Sequence, residues 1–428
     1  VAGLSARLMA EAAARDGYRV IALDVFGDAD TRRAALHWQS IGPPQPALRL
    51  DAERTLAALR EAAARPGVIG WVAGGDFECE PDLLERGAAL LPLIGTSPAA
   101  VRRVRDPAGF FAALAALGLP HPETRLDAPP DPRGWLRKHA RSAGGWHIRP
   151  AQSAHAAEPE RQPYYQREQP GTPMSALFIG NGREARLLGC HELVVRALGA
   201  RPHVYRGAIG PLPLTGARRA MLDAMLNTLT GAFALRGLAS LDFIDDGREL
   251  RLLEINPRPS ASMGLYAGAL MRGHVQACTD GRLPARTWPH AQADAAPRES
   301  ATQPDSRNEG EPASLPGRSS EGEPALRGTE IVFAQTALQL SAAQAAALAA
   351  RSDCHDLPAA GSRFEAGDPV CSISASGASV AAVRGALTDK RRTLRAALSA
   401  GDGTVPVVDQ SPCASDRIAP SPSGRGLG

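Results

Sequence analysis

Residues 238–259 constrain the fold more than any other part of the chain. Apolar and polar residues alternate over 238–246, Gly247-Arg248-Glu249 can turn, and 250–255 alternate again before Asn256-Pro257-Arg258-Pro259. Alternation with period two marks a half-buried strand, so the spacing predicts a β-hairpin. On its second strand Glu254 and Asn256 are two apart and share a face. A three-residue loop centred on Arg248 sets Asp242 directly opposite Glu254, with facing Cβ atoms about 5 Å apart. A two-residue Asp246-Gly247 turn shifts the register by one and sends Asp242 to the other face. The sequence leaves both registers open, and only the first gathers three oxygen-bearing side chains. Two carboxylates so close repel each other unless a divalent cation neutralises them, and Mg²⁺ takes oxygen ligands completed by phosphate and water.

The chain has 428 residues, more than one core usually supports, which predicts two or three domains. Lys and Arg number 48 against 45 Asp and Glu, a net charge of +3 with no long basic run. That balance points to small-molecule substrates rather than nucleic acid. The six cysteines are scattered without CxxC pairs or the close spacing of a disulfide scaffold, and are read as reduced. No apolar run approaches the roughly 18 residues of a membrane span, and no leader pattern opens the chain, so a cytoplasmic protein without a membrane partner is expected.

The order of elements predicts an α/β protein. A helical pattern at Leu4, Leu8, Ala12 and Ala13 precedes a strand over 19–24, an unusual start for a layer that normally opens on a central strand. The sequence therefore looks truncated, with the first strand upstream of Val1 or only its end surviving at 1–3. Helix 51–65, strand 67–73 and a helix from Pro81 complete an N-terminal α/β domain over 1–97. A helical pattern over 102–117 opens a middle domain, 98–288, of mixed strands and helices, in which Asn181-Gly182 turns a hairpin. Residues 289–328, rich in Ala, Glu, Ser, Pro and Gly, read as a disordered linker. A small C-terminal α+β domain, 329–400, and a disordered tail, 401–428, follow.

The segment LDFIDDGRELRLLEINPRPSAS, residues 241–262, resembles the metal-binding hairpin of ATP-grasp enzymes, particularly their carboxylate-amine ligases. The resemblance implies an ATP-grasp fold behind an N-terminal Rossmann-like domain that lacks most of its first strand. It also implies ATP and Mg²⁺ (or Mn²⁺) as cofactors and Asp242, Glu254 and Asn256 as metal ligands. Arg258 is then a catalytic candidate for the substrate carboxylate or the transferring phosphate. Such a ligase also has a lysine on a strand and a glycine-rich flap over the phosphates. Lys138, placed before Ser142-Ala143-Gly144-Gly145, fits both, with Gly144 and Gly145 letting backbone N–H groups approach phosphate oxygens. YYQREQPG, residues 164–171, resembles the hinge strand, with Gln166 near adenine and Glu168 a candidate acceptor for ribose hydroxyls. Arg105 stands where many ATP-grasp enzymes carry a further nucleotide-binding lysine, and its planar fork is not equivalent to an ammonium.

Asp24 ends a strand as the ribose-binding acid of a dinucleotide fold does, but no G-x-G-x-x-G precedes it. In ATP-grasp enzymes the comparable domain walls the substrate cleft, where Gly74, Gly75 and Glu78 stand ready here. The layout as a whole is similar to ATP-grasp proteins found with tetrahydromethanopterin-linked one-carbon metabolism. It implies an ATP-dependent ligase that activates a carboxylate as an acyl phosphate and joins it to an amine, in the assembly of a C1-carrier cofactor. The expected partners are those two small molecules, and a homodimer is allowed. A biotin-carboxylase-like enzyme acting on bicarbonate and a non-catalytic ATP-binding protein stay open as alternatives.

Overall fold

The computed structural model describes residues 1–45, 47–153, 162–285 and 326–399. The expected linker lies outside the described residues up to 325, and the expected tail lies outside them entirely.

The chain begins with helix α1 (Arg7–Arg15), β1 (Ile21–Asp24), α2 (Ala29–Ala34), β2 (His37–Ser40), α3 (Ala52–Ala63) and α4 (Pro81–Leu90). β1 and β2 pair in parallel, and Ala2 bridges in parallel to both Leu23 and Ala73. Residues 1–3 thus occupy the central strand position: the Ala2 N–H donates to the Val72 carbonyl at 2.9 Å and the Leu23 N–H to the Val1 carbonyl at 2.9 Å. Residues 67–73, read as a full strand, contribute only bridges at Trp71 and Ala73. The short α2 and β2 had no signal long enough to read. The helical pattern over 102–117 is two helices, α5 (Pro98–Arg105) and α6 (Pro107–Ala116). Pro107 disfavours helix in the residue before it, and the Asp106 carboxylate caps α6 by accepting from the Gly109 N–H at 3.0 Å.

Strands β3 (Thr124–Arg125), β4 (Trp135–His139), β5 (Arg149–Pro150) and β6 (Pro163–Arg167) form an antiparallel sheet in the order β3-β6-β4-β5. Then come β7 (Thr172–Asn181), β8 (Ala185–Leu198), β9 (Arg201–Leu212), α7 (Gly216–Phe233), β10 (Arg236–Asp245), β11 (Leu250–Asn256) and α8 (Leu270–Thr279). The last described stretch supplies β12 (Leu326–Phe333), β13 (Leu338–Gln339), α9 (Ala342–Ala349), β14 (Cys354–His355), β15 (Arg363–Phe364), β16 (Pro369–Gly377) and α10 (Val380–Ser399). An eight-stranded sheet runs β11-β10-β7-β8-β9-β12-β16-β14. Its period-two pleat feeds two cores: Phe178, Leu187 and Leu241 pack under α6 and α7, whereas Leu177, Ile179 and Leu238 pack under α1 and α8.

The C-terminal strands join that sheet through the pairing of β12 with β9, while Ile373, Val383, Leu387 and Leu394 form a core of their own. One boundary needs correction. Leu326, Arg327 and Gly328, expected in the linker, belong to β12. A Cβ at Gly328 would stand 2.4 Å from Val383 Cγ1, so this glycine allows α10 to close on the strand rather than marking a loop.

Candidate active site at the β10–β11 hairpin

Asp242 and Glu254 face each other across the hairpin. The route to that register differs from the expected one. The loop has four residues, 246–249, because the Asp246 carboxylate accepts from the N–H groups of Arg248 and Glu249, both at 2.8 Å, and closes the turn. Asp245 therefore pairs with Leu250 and Phe243 with Leu252, an odd register that taken alone would set Leu253 opposite Asp242. A β-bulge leaves Leu253 unpaired and moves the register by one, which brings Glu254 opposite Asp242 and Asn256 opposite Ser240.

Around this pair the polar groups converge. Asp242 accepts from Ser175 Oγ at 2.6 Å and from Asn256 Nδ2 at 3.1 Å. Burial, and then the Glu254 carboxylate, raise its pKa to about 7. Glu254 meets Arg105, whose Nη1 lies 3.2 Å from Oε2, while Arg105 Nη2 donates to the carbonyls of Ala140 and Ser142, each at 2.6 Å. Arg105 thus clamps the base of the glycine flap to the acidic pair. Arg258 donates from Nε to Glu78 Oε1 at 2.8 Å and stands 3.4 Å from Asn256 Oδ1, and the second oxygen of the buried Glu78 carboxylate has no hydrogen-bond partner.

Lys138, on β4, is buried and donates to Gln166 Oε1 at 2.7 Å, and it makes no ion pair among the described residues. Burial lowers its pKa, against the pull of Glu254 and Asp242. Gln166, expected near adenine, accepts from Lys138 and donates from Nε2 to Thr124 Oγ1 at 3.3 Å. Glu168 is exposed just beyond β6 and, with Lys138, acts on the ring of His203. In the flap, Gly144 and Gly145 have φ of 67° and 74°, and the Gly144 carbonyl accepts from the Tyr205 N–H at 3.0 Å. A Cβ at Gly145 would stand 1.9 Å from the His203 carbonyl oxygen, so only glycine lets the flap lie on β9 there. His147, half-buried and stacked on His139, has its pKa held well below the ordinary value by desolvation and then by Arg105 and Lys138.

Ser175 and Tyr205, which had no readable signal, and Tyr164, at the start of the segment read as the hinge strand, complete the surroundings. Burial raises both phenols, followed by Glu254 for Tyr164 and by Asp242 for Tyr205. Ser175 is placed by the pairing of β7 with β10, a neighbour relation that no local pattern encodes. Asp24 is spent within its own lobe, accepting from the N–H groups of Ala6 and Gly27 and from Trp38 Nε1. Among the described residues no group of three or more His, Cys, Asp and Glu side chains is placed to hold a metal. The donors here are two carboxylates and an amide, a set of hard oxygens that suits Mg²⁺ when phosphate and water complete its shell. Two facing acids, one driven toward its neutral form, fit that ion.

Residues 105–262, which contain the hairpin, the flap and the clamped arginine, match the family model described as the ATP-grasp domain. No curated protein matches the chain. Among solved structures the fold is similar to biotin carboxylase of Campylobacter jejuni, with a TM-score of 0.63 and 12% identity over 94% of this chain and 95% of that one. It is also similar to N5-carboxyaminoimidazole synthase of Aspergillus clavatus, with a TM-score of 0.59 and 13% identity over 92% and 98%. A third match is L-amino acid ligase of Bacillus licheniformis, with a TM-score of 0.58 and 12% identity over 92% and 95%. Among the described residues no helix is long and apolar enough to cross a membrane.

Proposed function

We propose that the chain is an ATP-dependent ligase that converts a small carboxylate to an acyl phosphate and joins it to an amine. The observation that carries this reading is the juxtaposition of Asp242 and Glu254 with the buried, ion-pair-free Lys138 inside an ATP-grasp domain. Mg²⁺ held by Asp242, Glu254 and Asn256 would supply charge neutralisation for the phosphate oxygens. Lys138 and the flap amides at Gly144 and Gly145 bind those oxygens, Glu168 accepts from ribose, and Arg105 holds the flap base against Glu254. Gln166 positions Lys138. Arg258, oriented by Glu78, takes the acceptor carboxylate.

A carboxylate oxygen attacks the γ-phosphorus, the bond to the bridging oxygen breaks, and ADP leaves. The amine then attacks the acyl carbon, phosphate departs, and the amine proton passes to solvent. The flap lying over β9 excludes water from the acyl phosphate between these steps. Amino-acid ligation in the assembly of a C1-carrier cofactor is the narrower reading and rests on the sequence layout.

The test is a screen for Mg²⁺-dependent ADP release over amino acids, other carboxylates and amines, with bicarbonate included as a separate candidate. ADP release that needs an acid and rises with an amine is expected. Release that responds to bicarbonate alone, or tight ATP binding without any turnover, would overturn the ligase reading.

A further inference from the structure

A second cationic site lies away from the hairpin, on the outer face of α10. Thr388, Arg391, Arg392, Arg395 and Ser399 recur at helical spacing along this face and, with Gln335 from the loop after β12, line a groove of about 420 Å³. Arg391 pairs with the buried Glu330 and Arg392 with the exposed Asp389. Arg395 has no ion pair or hydrogen bond among the described residues, and its Nε is buried.

Behind the groove stands Arg206. Val194 pairs with Gly207 and Val195 with Tyr205, so Arg206 is the extra residue of a β-bulge in β9, a device that re-aims a side chain. It is 7% exposed, sits over the Phe333 ring at 5.4 Å, and donates to the Ala197 carbonyl, yet its Nε is buried without a partner. Arg395 and Arg391 both act on it, and burial with Arg395 lowers its own affinity for a proton. Glu330 pairs with Arg391 and also acts on Arg206 and Arg395, so one carboxylate is shared among three guanidinium groups. Buried like charges destabilise a fold unless a counter-charge joins them.

We propose that this groove is a binding site for a phosphate-bearing anion, held by Arg395 and Arg391 with Arg206 behind them and the polar Thr388, Ser399 and Gln335 at its rim. Guanidinium forks match tetrahedral oxyanions in geometry as well as charge. The site does not rest on the ligase reading, since among the described residues no side-chain hydrogen bond or ion pair joins its arginines to the hairpin, the flap or Lys138.

The test measures melting of the full chain with inorganic phosphate, glycerol phosphate or citrate against sodium chloride of equal ionic strength. Lys138→Ala serves as the background that weakens phosphate binding at the hairpin. Phosphate is expected to raise the midpoint by about 2 °C in wild type and in Lys138→Ala. That gain should vanish in Arg395→Ala and in Arg395→Gln, which keeps most of the stem, so either variant that melts cooperatively answers the question. A larger gain with the ester assigns the ligand an organic body along α10, and equal gains assign it to free phosphate. An equal gain in the Arg395 variants, a gain with citrate alone, or none beyond chloride overturns the site.

Discussion

Asp24 and Asp242 are both strand carboxylates whose pKa burial raises, yet their surroundings differ in kind. Asp24 is fully buried and receives three neutral donors, the Ala6 N–H at 3.1 Å, the Gly27 N–H at 2.9 Å and Trp38 Nε1 at 2.7 Å. Asp242 receives Ser175 and Asn256 but faces a second carboxylate, and Lys138, Arg105 and Arg258 surround the pair. Neutral donors satisfy an acid and leave nothing for a ligand. An opposed acid leaves an electrostatic conflict that a divalent cation resolves. Burial alone does not distinguish the two carboxylates; the charge opposite does.

The largest effect that would break this contrast is on stability. Asp24→Ala strands three buried donors, so unfolding should weaken by about 3 kcal/mol in a urea titration while the response to Mg²⁺ is kept. A loss below about 1 kcal/mol would show that these hydrogen bonds do not hold the first lobe.

A smaller effect sharpens the contrast. With its folded pKa raised from the ordinary 3.8 to about 7, Asp242 keeps its proton in the folded protein where the unfolded chain has lost it. Its contribution is thus fully present below the unfolded pKa and is lost as pH rises toward 7. Asp24, also raised, adds a slope of the same sign. Only the Asp242 share responds to the cation: Mg²⁺ should raise the melting midpoint by a few degrees at pH 7 and by little at pH 4.5. Asp242→Asn should remove that difference and Asp24→Asn should preserve it. Equal Mg²⁺ effects at both pH values would place the ion elsewhere.

The hairpin was legible because alternation, a turn and Asn-Pro-Arg-Pro lie in one continuous segment. Of the two registers the sequence left open, the one that sets Asp242 opposite Glu254 forms, through a four-residue loop in place of three and a bulge at Leu253. Neither is written in the residue pattern, since the Asx turn at Asp246 and the bulge depend on how β10 is held by β7. The clamp by Arg105, the turning of Gln166 toward Lys138 and the placement of Ser175 were illegible for a related reason. Each joins elements distant in sequence, and the topology alone makes them neighbours. The joining of β12 to β9 belongs to the same class.

Asp242 and Glu254 face each other across the hairpin, and the role proposed for them is to hold a divalent cation against a nucleotide. The most direct test is calorimetric titration of ADP with and without Mn²⁺ in wild type and in Glu254→Gln. Mn²⁺ should tighten ADP binding to the wild type by about tenfold, a coupling near 1.4 kcal/mol, and leave the variant's affinity unchanged. The same tightening in both proteins would contradict the assignment.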